Sequence, residues 1–375
     1  MNKKIAAQNE IASVSINEIV NELTNVYQNM IENNTDYRLF PSVMLWGQPG
    51  VGKSDAIKEI KNNLSLLTNK KVVVTDIRLL LFNPIDLRGI PTVNKDKTTS
   101  IWLRPEIFNM DPSDDVFNIL FLDEISAAPP SVQSAAYQIV LDHKVGEHKL
   151  PENCVVICAG NRVSDHSVAY KMPKALSNRV MHFEVEVNFE EWKKWALDND
   201  IDDRILSYLS FNPSSLNTFD PSNDEVAYAT PRTWEMTSNI LKLTSSTDTK
   251  IPENMISGLI GKKTEVDFKT YLKVYKDIPK FDDIFSGKTT KVPLELDRLY
   301  AISNGIVNYS RIYFDDKDKM TNALRYVNLM PADFRIIIVN ELLYIRKDAV
   351  KVLSSIPEFL NITARNNQHL NEGQI

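Results

Sequence analysis

Residues 45–55 read LWGQPGVGKSD, and this run decides how the rest of the chain is read. Apolar Val43 to Leu45 lead into it, and then Gly47, Gly50 and Gly52 interrupt any regular element just before a lysine. Glycine is the residue for a backbone that must turn sharply or let another group come close. Gly47, Gly52, Lys53 and Ser54 satisfy G-x-x-x-x-G-K-[ST], in which inward-turned N–H groups surround phosphate oxygens and the next helix presents its N-terminus to the negative charge. Lys53 is expected to reach the β- and γ-phosphates of ATP, and the Ser54 hydroxyl to ligate Mg²⁺. The expected nucleotide-binding segment is Gly47, Gln48, Pro49, Gly50, Val51, Gly52, Lys53, Ser54 and Asp55.

Around this loop the pattern alternates. SINEIVNELTNVYQNMI, with Ser15 and Glu18 at capping-box spacing, is expected to be a helix. PSVMLWG reads as a buried strand, and the helix after the loop puts Ala56, Ile57, Ile60, Leu64 and Leu67 on one face. KKVVVTDIRL, NILFLDEI, CVVICAGN and VMHFEVEV complete the strands, and PPSVQSAAYQIVLDH is a helix begun by prolines. Strands of this kind, several apolar on both faces, predict an α/β core: a parallel sheet covered by helices. Beyond residue 188 the segments become helical, with Pro- and Ser-containing connections. The expected organisation is a nucleotide-binding core (1–188), a small helical lid (189–248), a C-terminal helical region (249–363) and a mobile polar tail (364–375).

Composition narrows the partners. With 43 Lys and Arg against 49 Asp and Glu the formal net charge is −6, which argues against a nucleic-acid backbone as the main partner. No run approaches the ~18 apolar residues of a membrane span, and MNKKIAAQNEIASVS lacks the apolar stretch of a secretory signal, so a cytoplasmic protein is expected. Cys154 and Cys158 fall on one face of a strand about 13 Å apart, too far for a disulfide, and the five histidines make no zinc spacing with them. Trp192, Trp195 and Trp234 have apolar neighbours at helical spacing and are expected in the core.

A second constellation addresses what happens to the nucleotide. Four apolar residues deliver Asp123 and Glu124 to the carboxyl end of a strand, where α/β sheets place their ligands. Asp123 suits the Mg²⁺ shell and Glu124 suits polarising an attacking water. Asn161, at the end of another strand, could orient that water or sense the γ-phosphate; a plain turn asparagine is the other reading.

In this order these pieces resemble the AAA+ ATPases, and within them the MoxR-like branch. The carriers are GQPGVGKS, ILFLDE, Asn161 as sensor 1, DIRLLLFNPIDLRGIP (76–91) and HKVGEHKLPENCVVICAGNR (143–162). The resemblance covers roughly residues 15 to 245 and implies a homo-oligomeric ring, expected to be a hexamer. By position it makes Arg179 in KALSNRVMHFEV the arginine finger offered to the neighbouring subunit, and Arg232 in TPRTWE the sensor 2 residue of the lid. Arg162 could assist Asn161 or be a solvated arginine. The resemblance further implies a protein client, with a von Willebrand factor A domain protein as a partner of the kind this branch uses. Two hairpins, 89–105 and 143–151, are expected to touch that client, with Ile90 and Val93 set against Ile101 and Trp102 in the first. A nucleic-acid-directed motor and a nucleotide-gated scaffold stand as alternatives.

Overall fold

The computed structural model describes residues 11, 13–165, 170, 172, 174–244, 251–275 and 277–372. The N-terminal stretch through residue 10, the boundary expected at 248 and the last three residues of the expected tail lie outside the described residues. The chain divides into two compact units, one of residues 1–191 with 219–224, the other of 192–218 with 225–375.

In the first unit the elements run β1 (Ser13–Ser15), α1 (Ile16–Glu32), β2 (Val43–Trp46), α2 (Lys53–Leu67), β3 (Lys71–Arg78), α3 (Pro84–Arg88), β4 (Ile90–Val93), β5 (Ser100–Leu103), β6 (Val116–Asp123), α4 (Pro130–Asp142), β7 (Lys144–Val145), β8 (His148–Lys149), β9 (Cys154–Gly160), α5 (Lys174–Ser177) and β10 (Met181–Glu186). Six strands form one sheet in the order β1-β10-β2-β9-β6-β3, every pair parallel. Strand periodicity sorts its two faces. Phe117, Ile119 and Phe121 of β6 join Ile19 and Leu23 of α1 and Ile57 and Ile60 of α2 in one core. Leu120 and Leu122, one residue out of phase, join Met44, both cysteines and Val132, Ala136 and Ile139 of α4 in another. Each such side chain, fully removed from water, stabilises the unit by roughly 2 kcal/mol.

Local chemistry explains the element ends. Ser15 caps α1, its hydroxyl accepting from Glu18 N while the Glu18 carboxylate accepts from Ser15 N, the capping box expected from the sequence. Buried Asn118 donates to Asp111 O at 2.8 Å and to Asn153 Oδ1 at 2.9 Å, and Asn153 donates to the carbonyls of Asp111, Ser113 and Val116. Two amides thereby satisfy the loop carbonyls where β6 and β9 begin. Cys154 and Cys158 are unpaired with each other and buried on the same face, and burial pushes both thiols up to about 12.

The second unit begins within α6 (Phe189–Asp198) and continues through α7 (Asp203–Phe211), α8 (Pro231–Leu243), α9 (Glu253–Ile260), α10 (Lys262–Tyr275), α11 (Phe281–Phe285), α12 (Leu296–Tyr313), α13 (Lys317–Asn328), α14 (Ala332–Tyr344), α15 (Ala349–Leu353) and α16 (Pro357–Glu372). It takes in most of the segment expected as a lid, apart from 189–191 and 219–224, together with the region after it, and α16 runs through much of the stretch expected as a tail. Tyr208, Trp234 and Phe268 pack ring against ring, and the Trp234 indole donates to Ser215 O at 2.9 Å. Trp192 and Trp234 are buried as expected, whereas Trp195 is half-buried and leans on Trp192. No described helix is long and apolar enough to cross a membrane.

Candidate functional site

The loop after β2 is placed by the strand and ended by the helix. Gly50 and Gly52 have φ of +79° and +103°, left-handed values that a residue with a Cβ adopts only at a cost of about 1–2 kcal/mol. Gly52 is also the N-cap of α2 and offers no side chain to it, so the first N–H groups of that helix remain directed at an incoming acceptor. Lys53, only 8% exposed, folds its ammonium back over the loop and donates to Gly47 O at 2.6 Å, Gln48 O at 2.9 Å and Asn161 Oδ1 at 3.2 Å. A buried cation is tolerable only with such partners, and all three are groups that a phosphate can replace.

The ends of three neighbouring strands therefore meet. Ser54 Oγ donates to Asp123 Oδ2 at 3.0 Å, joining the first turn of α2 to the end of β6. The other Asp123 oxygen accepts from Glu124 N at 2.8 Å. Glu124 is half-buried and has φ +56°, a strained conformation for a residue with a side chain. Its carbonyl accepts from Ala127 N and Ala128 N, and the next amide, Ile125 N, donates to Ala159 O of β9, so the surroundings over-determine the turn. At the end of β9, Asn161 N donates to Ser126 Oγ at 2.9 Å, leaving its side chain turned to Lys53. Asp76 on β3 has its carboxyl held above the ordinary range, first by partial burial and then by the charge of Asp123.

Of the residues expected from the sequence, Lys53, Ser54, Asp123, Glu124 and Asn161 are brought together. Gly47 and Gln48 contribute carbonyls, and Pro49 and Val51 complete the loop. Asp55 instead faces solvent and pairs with Lys58 at 2.7 Å, one turn along α2. Arg179 stands exposed in the turn between α5 and β10, and Arg232 is the exposed second residue of α8 in the other unit. Arg162 is neither free nor aimed at Asn161: its guanidinium pairs with Glu184 of β10. Nothing local in the sequence signals that ion pair, because its partners, 22 residues apart, meet only through the strand order β9-β2-β10.

The 89–105 hairpin forms, with a corrected register. Ile90 lies opposite Leu103 and Val93 opposite Ser100, not opposite Ile101 and Trp102. The turn sets this: Asn94 N donates to Thr99 O while the Asn94 side chain accepts from the amides of Thr98 and Thr99. Ile90, Val93, Ile101 and Leu103 are all exposed, as are Leu81 and Ile85 beside them at 75% and 56%. A groove of about 530 Å³ runs between the hairpin and α3. The second hairpin, β7–β8, leans on the first through His148 Nε2, 2.8 Å from Trp102 O.

Ser54 and Asp123 set a hydroxyl and a carboxylate side by side, both hard oxygen donors. No group of three or more described His, Cys, Asp or Glu residues gathers as a metal cage. This donor set fits Mg²⁺, which is held by one or two protein groups together with substrate phosphates.

Residues 42–182 match the protein-family model described as "ATPase family associated with various cellular activities (AAA)". No curated protein matches the chain. Among solved structures it is similar to the ORC2 protein of Aeropyrum pernix, at 11% identity over 89% of this chain and 96% of that one, TM-score 0.41. It is also similar to a mutant form of Thermotoga maritima RuvB (16% identity, 78% and 83%, TM-score 0.37) and to C. elegans PCH-2 (14% identity, 72% of each, TM-score 0.37). Likenesses this distant leave the roles of individual residues to the geometry of this chain.

Proposed function

We propose that this chain, whose residues 42–182 match the AAA-family ATPase model, hydrolyses ATP in a MoxR-like ring and uses the cycle to remodel or mature a protein client. One observation carries the reading: Lys53, Ser54, Asp123, Glu124 and Asn161 converge at the carboxyl ends of β2, β6 and β9. In this reading the amides of the loop and α2 bind the phosphates, and Lys53 transfers its donors from Gly47 O, Gln48 O and Asn161 to them. Ser54 and Asp123 would hold Mg²⁺, which when bound neutralises phosphate charge. Glu124, whose backbone is fixed at both ends, polarises the water that attacks the γ-phosphorus as the bond to the β,γ-bridging oxygen breaks. Asn161 orients that water. Arg179, exposed and remote in sequence from the loop, is the finger offered to the next subunit, and Arg232 the lid residue that meets the phosphates.

The exposed apolar hairpin face favours a protein client over nucleic acid. Ile90, Ile101 and Leu103, which the register puts on one face, give a duplex backbone nothing to pair with, whereas a polypeptide can bury them. The test is turnover against protein concentration, with and without single- and double-stranded DNA. Half a site per chain predicts specific activity that rises steeply as rings assemble and ignores DNA. Activity independent of concentration would refute the shared site, nucleotide binding without turnover at any concentration would favour the nucleotide-gated scaffold, and activity raised severalfold by DNA would favour the nucleic-acid motor.

A further inference from the structure

Trp46 is the last residue of β2 and directly precedes the phosphate loop. Its indole Nε1, which can only donate, lies 2.9 Å from Nδ1 of His182 on neighbouring β10. Nδ1 must therefore present a lone pair, and the single proton of a neutral imidazole must sit on Nε2. That nitrogen lies 2.7 Å from Ser177 O, which can only accept, with the Ser177 hydroxyl 3.4 Å away. Two independent contacts thus assign the same tautomer. The rings of Trp46 and His182 also lie nearly parallel, 15° apart with centroids at 6.1 Å.

Ser177 ends α5, and Arg179 follows two residues later in an exposed turn. A four-residue helix has too few internal hydrogen bonds to hold its own end. We propose that His182 is a positioning residue that ties the Arg179 turn to the strand carrying the phosphate loop. A backbone ladder already joins β10 to β2. Beside it, the imidazole links the residue before each chain's nucleotide loop to the end of α5, two residues before the arginine offered to the neighbour. A shift of β2 on binding nucleotide is then passed to the next subunit's site. This rests on the finger role of Arg179 proposed above.

The experiment compares His182→Phe, which keeps a flat ring against Trp46 but removes both hydrogen bonds, with His182→Gln, whose amide supplies one acceptor and one donor. Arg179→Ala is the control. For His182→Phe, kcat falls about tenfold or more, since misplacing a catalytic group by 1 Å can cost about a hundredfold. Its affinity for a fluorescent ATP analogue stays within about twofold, because its own pocket is intact. His182→Gln recovers much of kcat. Mixed with Glu124→Gln chains, whose pocket is inactive but whose Arg179 turn is whole, both His182→Phe and Arg179→Ala chains regain turnover. Wild-type kcat in His182→Phe alongside a low kcat in Arg179→Ala overturns the positioning role alone. So does a loss of analogue binding in parallel with kcat, or a glutamine variant no better than phenylalanine. Full turnover in Arg179→Ala overturns the finger reading, and this inference with it.

Discussion

Replacing Lys53 by methionine separates what this side chain does for the fold from what it does for the nucleotide. The ammonium is almost wholly buried and donates to Gly47 O, Gln48 O and Asn161 Oδ1. Losing charge-assisted bonds of about 1.5–3 kcal/mol each destabilises the loop. Removing a cation whose desolvation costs several kcal/mol offsets that loss, as does the similar shape of methionine. The two terms nearly cancel, and unfolding free energy is expected to change by no more than about 1–2 kcal/mol. When nucleotide binds, the hydrogen bonds that Lys53 leaves are replaced by bonds to phosphate, so the substitution removes chiefly the Coulombic attraction. A unit positive charge about 4 Å from a phosphate oxygen contributes roughly 4 kcal/mol at an effective dielectric of about 20. Lys53→Met should therefore bind a fluorescent ATP analogue about 1000-fold more weakly. Equilibrium titration read beside urea denaturation is the assay. Analogue affinity within about threefold of wild type would refute the reasoning, and so would a variant that fails to fold, because the lysine would then be a structural residue.

Two further outcomes follow from individual residues. Glu124 holds φ +56°, so Glu124→Gly should raise unfolding free energy by about 1 kcal/mol while turnover is lost; a variant no more stable than wild type would show that the turn is unstrained. Asp203 accepts a hydrogen bond from Asn308, yet burial, then the charge of Asp202, pushes its carboxyl up to about 6. With the folded pKa raised above the ordinary 3.8, its stabilising contribution is complete below about pH 4 and is lost as pH rises through about 6. Asp203→Asn should then be more stable than wild type by about 3 kcal/mol at pH 7.5, a gain that shrinks towards zero at pH 4; a gain independent of pH would reject the burial argument.

Much of this architecture is legible in the sequence because the strands are apolar on both faces. Val155 to Ala159 and Ile119 to Leu122 could hardly be anything but central parallel strands, and Gly52-Lys53-Ser54 then fixes which strand carries the loop. Three features were not legible. β1 is only Ser13–Ser15, too short to show alternation, and it exists because Glu184–Glu186 of β10 offers it a free edge. The register of the 89–105 hairpin depends on how Asn94 folds its own turn, which spacing does not report. Arg162–Glu184 and Trp46–His182 arise from strand order, and each residue looks unremarkable in its own segment. Local patterns thus located the residues on β2, β6 and β9, whereas contacts between distant strands had to be seen.

The central claim is that the residues converging on Lys53 hydrolyse ATP, with Glu124 acting on the water. Phosphate release at saturating ATP, measured for wild type and Glu124→Gln beside the retained nucleotide, tests it most directly. The account predicts turnover lower by about 100-fold or more, as expected for loss of a general base, with ATP still held on the protein. Equal turnover in the two proteins would contradict it.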